Sequence, residues 1–457
     1  MEQSLTNQPM VEKEKMFAAV DIGTTKIVAL VGYLNEDRKV TILGIGESAS
    51  AGVAAGSVVS ISQTAEDIKK AVQMAEKEAG FFPKKVVVGV AGRHIRSTSI
   101  SVNHHRVDAS APITEEELQD NLISVAPNQV LRGAGEEIIH VVLQNYLVDG
   151  EVIKNPVGYA NGSNLVANFH VILGETEKLQ WLMKSVEMAG LETSVDLLCL
   201  EPIASSNAVL TDSERKSGVA MVDMGGGTTD IAIYYDNCLC TTEVVPFGGK
   251  CITKDIMAGC GVLEEQAEAL KVEYGSAICE IPVKERLNII IGDGYAQKEV
   301  SSEFLAGIIN ARIMEIINGV QYTLYVSGYS DKISSIVVTG GAANLKYLTN
   351  LLALVLRKPS SIKTPVTMLN YGDNVVFNNP KYSTVAGLMY KSAEVWKEEQ
   401  EKAKVIQDPV PTPESTPVSN ETIGTPKKGL KNHIKSFFGM LEEKITAVSP
   451  EYNECEN

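Results

Sequence analysis

The chain contains 457 residues, of which 44% are hydrophobic and 21% are charged, and its formal net charge at pH 7 is −16. This length is too great for one ordinary hydrophobic core, so it predicts about two to four domains. The acidic balance excludes general nucleic-acid binding, which needs a basic surface, and no apolar run reaches the roughly 18 residues of a membrane-spanning helix.

The first residues and the cysteines indicate the cellular compartment. Residues 1–15 are polar and mixed in charge, which predicts a disordered arm and no signal peptide. The seven cysteines are odd in number and include no Cys-x-x-Cys pair. Reduced thiols in a cytoplasm are therefore favoured over a disulfide framework or a zinc site.

The first recognisable element is an apolar strand that ends in a carboxylate and a glycine turn. Residues 17–31 read Phe-Ala-Ala-Val-Asp-Ile-Gly-Thr-Thr-Lys-Ile-Val-Ala-Leu-Val. A glycine turn lets backbone N–H groups close on an anion, and Thr24 and Thr25 add hydroxyl donors. Asp21 would hold a cation through its waters. The pattern predicts a hairpin whose tip cradles a phosphate, with an ordinary glycine-rich hairpin as the alternative.

An α/β pattern follows this hairpin. Strands are predicted at 40–45 and 85–90, with an amphipathic helix between them at 62–80. Residues 84–165 then depart from the pattern and predict a small α+β insert.

Within the insert, Thr114 opens a capping box that begins a helix, and strands are predicted at 137–144, 146–149 and 152–154. The adjacent His104 and His105 are predicted to be surface residues and not a metal pair, because neighbouring side chains on a strand point in opposite directions.

The α/β pattern resumes after the insert. It predicts a strand at 164–173, a helix at 176–189 and a strand at 195–200. The next residues are Glu201-Pro-Ile-Ala, and Pro202 is suited to the first turn of a helix.

A second hairpin of the same kind occupies residues 218–235. It reads Gly-Val-Ala-Met-Val-Asp-Met-Gly-Gly-Gly-Thr-Thr-Asp-Ile-Ala-Ile-Tyr-Tyr, so Asp223 matches Asp21. Aligned by residue type, Thr228-Thr229 matches Thr24-Thr25. Two copies predict a duplicated domain in which one hairpin from each half faces a shared nucleotide.

A mostly helical block is predicted at 247–330, with one helix after Phe247-Gly-Gly-Lys250, a second at 264–274 and a third at 301–327. A strand at 334–339 follows this block. That strand runs into Gly340-Gly341 and an amphipathic helix at 345–356. A strand, a Gly-Gly turn and a helix let the backbone lie flat against a planar group such as adenine, although a tight turn alone also favours glycine.

The last part of the chain changes in composition. Charged residues at 397–404 and a proline-rich run after them predict a flexible linker. Beyond the linker, residues 427–445 predict a cationic amphipathic helix of the kind that lies on anionic membranes, with a protein-docking helix as the alternative. The residues that would bind the membrane are Lys428, Leu430, Lys431, Ile434, Lys435, Phe437, Phe438 and Leu441.

The two hairpins, the Glu201-Pro-Ile-Ala link and the Val-Val-Thr-Gly-Gly turn together resemble the superfamily of actin, sugar kinases and DnaK-type chaperones. Within it, the chain resembles the bacterial cell-division family FtsA in its insert, in Asn155-Pro-Val-Gly158, in the run from Ile139 to Gly150 and in its tethered terminal helix. Leu143 departs from the family, which usually has proline there, and the acidic tail after the helix is a second departure.

The resemblance implies an α/β class with a duplicated actin-like ATPase fold, a small α+β insert domain, a disordered linker and a C-terminal amphipathic helix. The expected parts are a first actin-like domain (16–83, 166–205, 383–396), the insert domain (84–165), a second actin-like domain (206–246, 331–382), a helical subdomain closing over nucleotide (247–330), a linker (397–426), a membrane helix (427–445) and an acidic tail (446–457).

The resemblance also implies which residues bind ATP and Mg. The phosphate-binding residues would be Asp21, Gly23, Thr24, Thr25, Lys26, Asp223, Gly225, Gly226, Gly227, Thr228 and Thr229. The adenosine-binding residues would be Gly248, Gly249, Lys250, Glu268, Lys271, Gly340, Gly341 and Ala342. Asp21 and Asp223 would hold Mg through water. Glu201 stands where related chaperones keep a carboxylate near the attacking water, and capping of its own helix is the equal alternative.

The implied function is structural. The protein would bind ATP, act as a slow ATPase at most, and polymerise on the inner face of the cytoplasmic membrane at the division septum. There it would anchor filaments of the tubulin-like protein FtsZ and recruit later division proteins, with polymerisation strengthening a weak single anchor through avidity. The alternative is a phosphotransferase of the sugar- or acetate-kinase type, which would need a substrate pocket and a catalytic base.

Overall fold

The structure is a computed structural model that describes residues 11–292, 297–365, 369–370 and 376–407, with side chains described through residue 403. Its strands are β1 (Met16–Ile22), β2 (Lys26–Leu34), β3 (Val40–Ala49), β4 (Val53–Ala54), β5 (Ser57–Val58), β6 (Val86–Val90), β7 (Ile95–His105), β8 (Glu136–Val148), β9 (Glu151–Ile153), β10 (Asn164–Glu175), β11 (Leu198–Leu200), β12 (Val219–Met224), β13 (Thr229–Tyr235), β14 (Cys238–Val245), β15 (Asn288–Ile291), β16 (Lys298–Ser301), β17 (Ser335–Thr339), β18 (Ser360–Ile362) and β19 (Leu369–Asn370).

The helices of the described residues are α1 (Ile61–Ala79), α2 (Glu115–Leu118), α3 (Ala126–Gln129), α4 (Thr176–Met188), α5 (Glu201–Val209), α6 (Asp212–Ser217), α7 (Gly249–Cys260), α8 (Glu264–Tyr274), α9 (Ser302–Val326), α10 (Leu348–Leu356) and α11 (Ser383–Gln407). Within this part of the chain, no helix combines the length and the apolar character needed to cross a bilayer.

The chain forms two compact units. Of the described residues, the larger unit contains those within 11–98, 132–139 and 172–393, and the smaller one contains 99–131, 140–171 and 394–407. The candidate site lies entirely in the larger unit.

Two sheets of the larger unit repeat one strand order. The first sheet is β11-β6-β1-β2-β3-β19, and the second is β14-β13-β12-β17-β18. In both sheets a hairpin of antiparallel strands (β1–β2 or β12–β13) is flanked on one side by parallel strands and on the other by a further antiparallel strand. The repeated order agrees with the duplication predicted from the two hairpins.

The strands at the centre of both sheets are almost continuously apolar because both faces of each sheet are covered. In the first sheet Ala18, Val20 and Leu30 have no exposed surface, and in the second the same is true of Val222 and Ile231. Long apolar runs of this kind are typical of strands buried on both faces. The sheets therefore hold the strand ends, where the two hairpins turn, in fixed positions.

The described residues of the predicted helical block include three α-helices and a strand hairpin that the sequence did not indicate. Helices α7, α8 and α9 agree closely with their predicted positions, and their apolar faces join the core of the second sheet. Between α8 and α9, strands β15 and β16 form an antiparallel hairpin.

The smaller unit contains most of a four-stranded sheet in the order β7-β10-β8-β9. Thr114 caps α2 as predicted, since its hydroxyl oxygen accepts from the backbone N–H of Glu117 at 3.1 Å. Arg106 is buried and donates to Glu117 at 2.8 Å. His104 lies 3.5 Å from the same carboxylate and His105 is exposed.

Several predicted boundaries are wrong. The insert was expected to begin at residue 84, but β6 pairs in parallel with β1 and so belongs to the first sheet. The second domain was expected to include 369–370, but β19 pairs with β3 of the first sheet. The predicted strands 137–144 and 146–149 form one strand, β8. A 3-10 turn precedes β11 within the strand predicted at 195–200.

The two terminal segments also differ from expectation where they are described. The linker was expected from residue 397, but α11 continues to Gln407, where charged side chains suit a solvent-exposed helix and Glu398 pairs with Lys402 at 3.7 Å. Lys13–Lys15 of the predicted arm form a 3-10 turn. Residues 1–10, the rest of the linker, the helix at 427–445 and the acidic tail lie outside the described residues.

Candidate functional site

Both hairpins turn in the same way at the ends of their sheets. In the first, the N–H of Gly23 donates to the carbonyl oxygen of Lys26 at 3.0 Å. In the second, the N–H of Gly225 donates to the carbonyl oxygen of Thr228, also at 3.0 Å. Each hydrogen bond closes a four-residue turn, so the tips are Thr24–Thr25 and Gly226–Gly227.

The strand pairing corrects the alignment of the two hairpins that was based on residue type. Asp21 pairs with Val28 across its hairpin, and Asp223 pairs with Asp230 across the other. The positions equivalent to Thr24 and Thr25 are therefore Gly226 and Gly227, and not Thr228 and Thr229. Lys26 is the equivalent of Thr228.

The two tips lie against each other. A Cβ added at Gly226 would come within 2.5 Å of the Thr25 side chain, and one added at Gly227 within 2.4 Å of the Thr24 hydroxyl. The ammonium of Lys250 donates to the carbonyl oxygen of Thr24 at 3.0 Å. The absence of side chains at the second tip therefore permits the close approach of the first.

The predicted hydroxyl donors differ in their surroundings. Thr25 is exposed at the tip, whereas Thr24, Thr228 and Thr229 are buried. Thr228 donates to Asp230 at 3.0 Å, and Thr229 donates to the carbonyl oxygen of Phe247 at 2.8 Å. Thr228 and Thr229 thus stabilise the second hairpin, and Thr25 is the hydroxyl most accessible to a ligand.

Four carboxyl groups share the floor of this site. Asp21, Asp223 and Asp230 are nearly fully buried, and burial raises the pKa of each. For Asp230 the pKa rises to about 7, with the Asp223 carboxylate as a further cause. Lys26 partly offsets this charge, because its ammonium lies 3.6 Å from Asp21. Clustered carboxylates of this kind are electrostatically unfavourable without a cation.

Glu201 is the fourth carboxyl group. Burial raises its pKa well above the usual value, and the Asp21, Asp230 and Asp223 carboxylates raise it further. It is the first residue of α5, and its Oε1 lies 3.2 Å from the position of a Cβ added to Gly89 of β6. Burial and the neighbouring carboxylates therefore both favour the protonated form of Glu201.

The start of α7 lies beneath the second tip. The N–H groups of Gly249 and Lys250 donate to the carbonyl oxygens of Gly225 and Gly226 at 2.9 and 2.8 Å. Lys250 was grouped with the adenosine-binding residues, but its side chain extends to the first phosphate hairpin.

Several other predicted adenosine residues meet at Gly249, the first residue of α7. The ammonium of Lys271 donates to Glu268 at 2.7 Å and to the carbonyl oxygen of Gly249 at 3.2 Å. A Cβ added at Gly249 would lie 3.6 Å from the Cβ of Ala342, in the turn that begins at Gly340. Residues from three separate segments thus meet beside the second hairpin.

Three residues at this site were not predicted from the sequence. Asp230 could have been suspected, because it is a second aspartate in the same hairpin. Ser205 and Thr384 donate to the Oδ2 atom of Asp223 at 2.5 and 3.1 Å. They lie 18 and 161 residues from Asp223 along the chain, and the sequence carries no signal that they meet.

The arrangement suits a cation that keeps its own waters. Within the described ranges, no three His, Cys, Asp or Glu side chains are placed to bind a metal ion directly. The buried Oδ1 atom of Asp230 accepts no hydrogen bond there, and the neighbouring carboxyl groups have raised pKa values. A hydrated divalent cation would satisfy such oxygens and lower these pKa values.

Comparison with known proteins identifies relatives along most of the chain. The family model described as "Cell division protein FtsA" matches residues 220–387, and "SHS2 domain inserted in FTSA" matches 92–173. "Cell division protein FtsA" of Neisseria meningitidis serogroup B is 33% identical over 394 residues, which cover 84% of this chain and 92% of that protein. The protein of the same name from Bacillus subtilis is 32% identical over 378 residues, covering 82% and 83%.

Two solved structures show the same fold. The PilM–PilN type IV pilus biogenesis complex aligns with a TM-score of 0.60 at 14% identity, covering 82% of this chain and 98% of that one. MreB5 of Spiroplasma citri bound to ADP aligns with a TM-score of 0.50 at 13% identity, covering 84% and 98%. The actin-like ATPase fold with an inserted domain, predicted from the sequence, is thereby confirmed.

Proposed function

The chain belongs to the FtsA family of cell-division proteins, and from this premise we propose that it is an ATP-dependent membrane anchor for FtsZ filaments. In this proposal the protein binds ATP and Mg between the halves of its larger unit and polymerises on the inner face of the cytoplasmic membrane. At the division septum it would hold FtsZ and recruit later division proteins.

The observation that carries the nucleotide part is the pair of hairpin tips above a carboxylate floor. Small turns of this kind present backbone N–H groups to an anion, and Asp21 and Asp223 lie directly behind them, both only 5% exposed. The structure of MreB5, which shares the fold, was solved with ADP. The proposal therefore assigns the triphosphate to the two tips and the adenosine to the cluster of Gly249, Lys271 and Ala342.

Bound Mg would supply positive charge between the phosphates and the carboxylates. Asp21, Asp223 and Asp230 would accept hydrogen bonds from its waters, and Lys26 would remain beside Asp21. Glu201 would lie beside the same carboxylates, where the charge of Mg would favour its ionised form.

Calorimetric titration of the full chain with Mg-ATP tests this assignment. Gly226→Val should reduce affinity at least tenfold, or about 1.4 kcal/mol, because the new side chain would occupy the space of Thr25. Gly307→Ala is the matched control, because a Cβ there meets nothing within 4 Å. Wild-type affinity for Mg-ATP in Gly226→Val would show that the hairpin tips do not bind the phosphates.

The membrane part of the proposal rests on the sequence of residues 427–445, which lie outside the described part of the chain. Six apolar residues recur on one face and lysines lie on or beside the other, a pattern typical of interfacial helices. One such helix anchors marginally, so assembly of many copies would provide the avidity for stable attachment.

Sedimentation with anionic liposomes tests the anchor. Deleting 427–445 should leave the protein in the supernatant, whereas deleting only 446–457 should leave binding intact. Full-length protein with Mg-ATP should also bring FtsZ filaments into the liposome pellet. Equal sedimentation of both deletion variants would be evidence against the helix as the anchor.

A further inference from the structure

Two helices link the two sheets of the larger unit. Helix α5 follows β11 of the first sheet and leads through α6 to β12 of the second. Helix α11 starts beside the second sheet, where Ser383 hydrogen-bonds to Thr339 of β17 at 2.5 Å. Further along it, Ser392 donates to the carbonyl oxygen of Ala18 in β1 at 2.7 Å. We call α5 and residues 383–393 of α11 the hinge helices.

The hinge helices touch through their backbones. A Cβ added at Gly387 would lie 1.8 Å from the carbonyl oxygen of Ala204, much closer than non-bonded atoms approach each other. The residues beside this contact, including Ala386 and Leu388, are completely buried. The two helices therefore cross with their backbones in direct contact at Gly387 and Ala204.

One carboxylate binds both hinge helices next to this contact. Ser205 of α5 donates to Asp223 Oδ2 at 2.5 Å, and Thr384 of α11 donates to the same oxygen at 3.1 Å. The two hydroxyl oxygens are themselves 3.1 Å apart. All three side chains are at least nine-tenths buried, so water does not readily replace any of these partners.

The other oxygen of Asp223 faces a different part of the molecule. A Cβ added at Gly340 would lie 2.3 Å from Asp223 Oδ1, so this oxygen lies against the turn assigned to adenosine. Asp223 therefore contacts the candidate site and both hinge helices at once.

We propose that Ser205 and Thr384 are positioning residues that couple occupation of the nucleotide cleft to the angle between the hinge helices. The proposal rests on the ATP binding proposed above. The hydrated cation bound with the triphosphate would draw the Asp223 carboxylate toward the cleft, because its positive charge outweighs the repulsion from the more distant phosphates. Because its Oδ2 atom holds one hydroxyl from each helix, and hydrogen bonds to a buried charge are strong, both helices shift with it at the Gly387–Ala204 contact.

Hydrogen–deuterium exchange of the full-length protein, with and without saturating Mg-ATP, tests this coupling. In the wild type, ATP should slow amide exchange in residues 201–209 and 383–393 by about tenfold, within the usual range of coupling between sites. In the double variant Ser205→Ala, Thr384→Val, both replacements keep the buried volume but lack the hydroxyl donors. The ATP-dependent slowing in these segments should fall to about twofold or less.

Two control variants separate coupling from packing. Ser206→Ala removes a buried hydroxyl that bonds within α5, to the carbonyl oxygen of Pro202 at 2.6 Å, and should keep the full ATP effect. Thr384→Ser keeps the donor and should also keep it. If the double variant does not fold, Ser205→Ala alone, compared with Ser206→Ala, makes the same test with a smaller expected loss.

The outcomes distinguish this proposal from the one on which it rests. If calorimetry detects no ATP binding to the wild type, the proposed function itself fails. If the double variant binds ATP and retains the wild-type slowing in both hinge helices, Ser205 and Thr384 are structural residues only and the coupling is refuted. Loss of the ATP-dependent slowing of amide exchange in Ser206→Ala would also refute the coupling.

Discussion

Replacing Gly340 by alanine should destabilise the protein strongly, although its neighbour Gly341 should accept the same change. Gly340 has φ 89° and ψ 167°, a conformation that residues with a side chain rarely adopt. A Cβ there would lie 2.3 Å from Asp223 Oδ1 and 2.6 Å from the carbonyl oxygen of Met224. Backbone strain of about 1–3 kcal/mol and overpacking of about 1–3 kcal/mol give an expected loss of roughly 2–6 kcal/mol.

Gly341 is the matched control for this prediction. The nearest atom to a Cβ at Gly341 is the Cβ of Lys381, at an ordinary 3.9 Å, and its φ is not positive. The free energy of unfolding of Gly341→Ala should therefore remain within about 0.5 kcal/mol of the wild type. Its affinity for ATP should still fall by about tenfold, because the new methyl group lies on the turn assigned to adenine.

Urea denaturation of the two variants measures the first effect, and calorimetric titration with Mg-ATP measures the second. The expected pattern is a large shift in the urea midpoint for Gly340→Ala only, and a weakened ATP affinity for Gly341→Ala. Equal midpoints for the two variants would refute the reasoning about backbone conformation and close contact. Wild-type ATP affinity in Gly341→Ala would refute the adenine assignment.

Three further changes test other packing and charge arguments. Gly387→Ala should lower the free energy of unfolding by about 3 kcal/mol, because its Cβ would meet the Ala204 carbonyl oxygen, whereas Gly307→Ala should raise it by up to about 1 kcal/mol; similar urea midpoints would be evidence against the helix contact. Burial raises the pKa of the Asp230 carboxyl group to about 7, so at pH 8 its negative charge destabilises the folded state. Asp230→Asn removes this charge and should raise the thermal midpoint at pH 8, by a stabilisation on the order of 2 kcal/mol. A lower midpoint would show that the buried charge does not destabilise the fold. Burial lowers the pKa of His170 to about 4, so below about pH 6.5 the unfolded chain binds a proton at this residue that the folded chain does not. The free energy of unfolding should therefore drop by about 2 kcal/mol between pH 7.5 and 5. His170→Gln should lose that part of the pH dependence, and an unchanged dependence would exclude His170 as its source.

The sequence predicted the repeated hairpins and most of the elements because those features depend on local patterns. Helix α8 lies at its predicted bounds, and β1, β2, β12 and β13 follow from apolar runs on either side of a glycine turn. The register of the hairpins was not predictable from an alignment of identical residue types. The Thr-Thr pairs occur at different distances from Asp21 and Asp223, and the closing hydrogen bonds, not the letters, determine which residues form the tips.

The parts that the sequence did not predict depend on contacts between distant segments. β19 has two residues, too few for a periodic pattern, and joins the first sheet only through β3. Ser205 and Thr384 are ordinary buried hydroxyl residues within helices, and they acquire a role only because Asp223 lies between them. Lys250 was grouped with adenosine because of its place in the chain, but a long side chain can reach the neighbouring hairpin.

Electron microscopy of the full-length protein on an anionic lipid monolayer tests the central claim most directly. With Mg-ATP, the account predicts filaments attached to the lipid, and it predicts a bare monolayer when residues 427–445 are deleted. The Gly226→Val variant should bind the lipid through its intact tail but form no ATP-dependent filaments. A lipid-bound wild-type protein that forms no filaments with Mg-ATP, or filaments that form equally without nucleotide, would contradict the account.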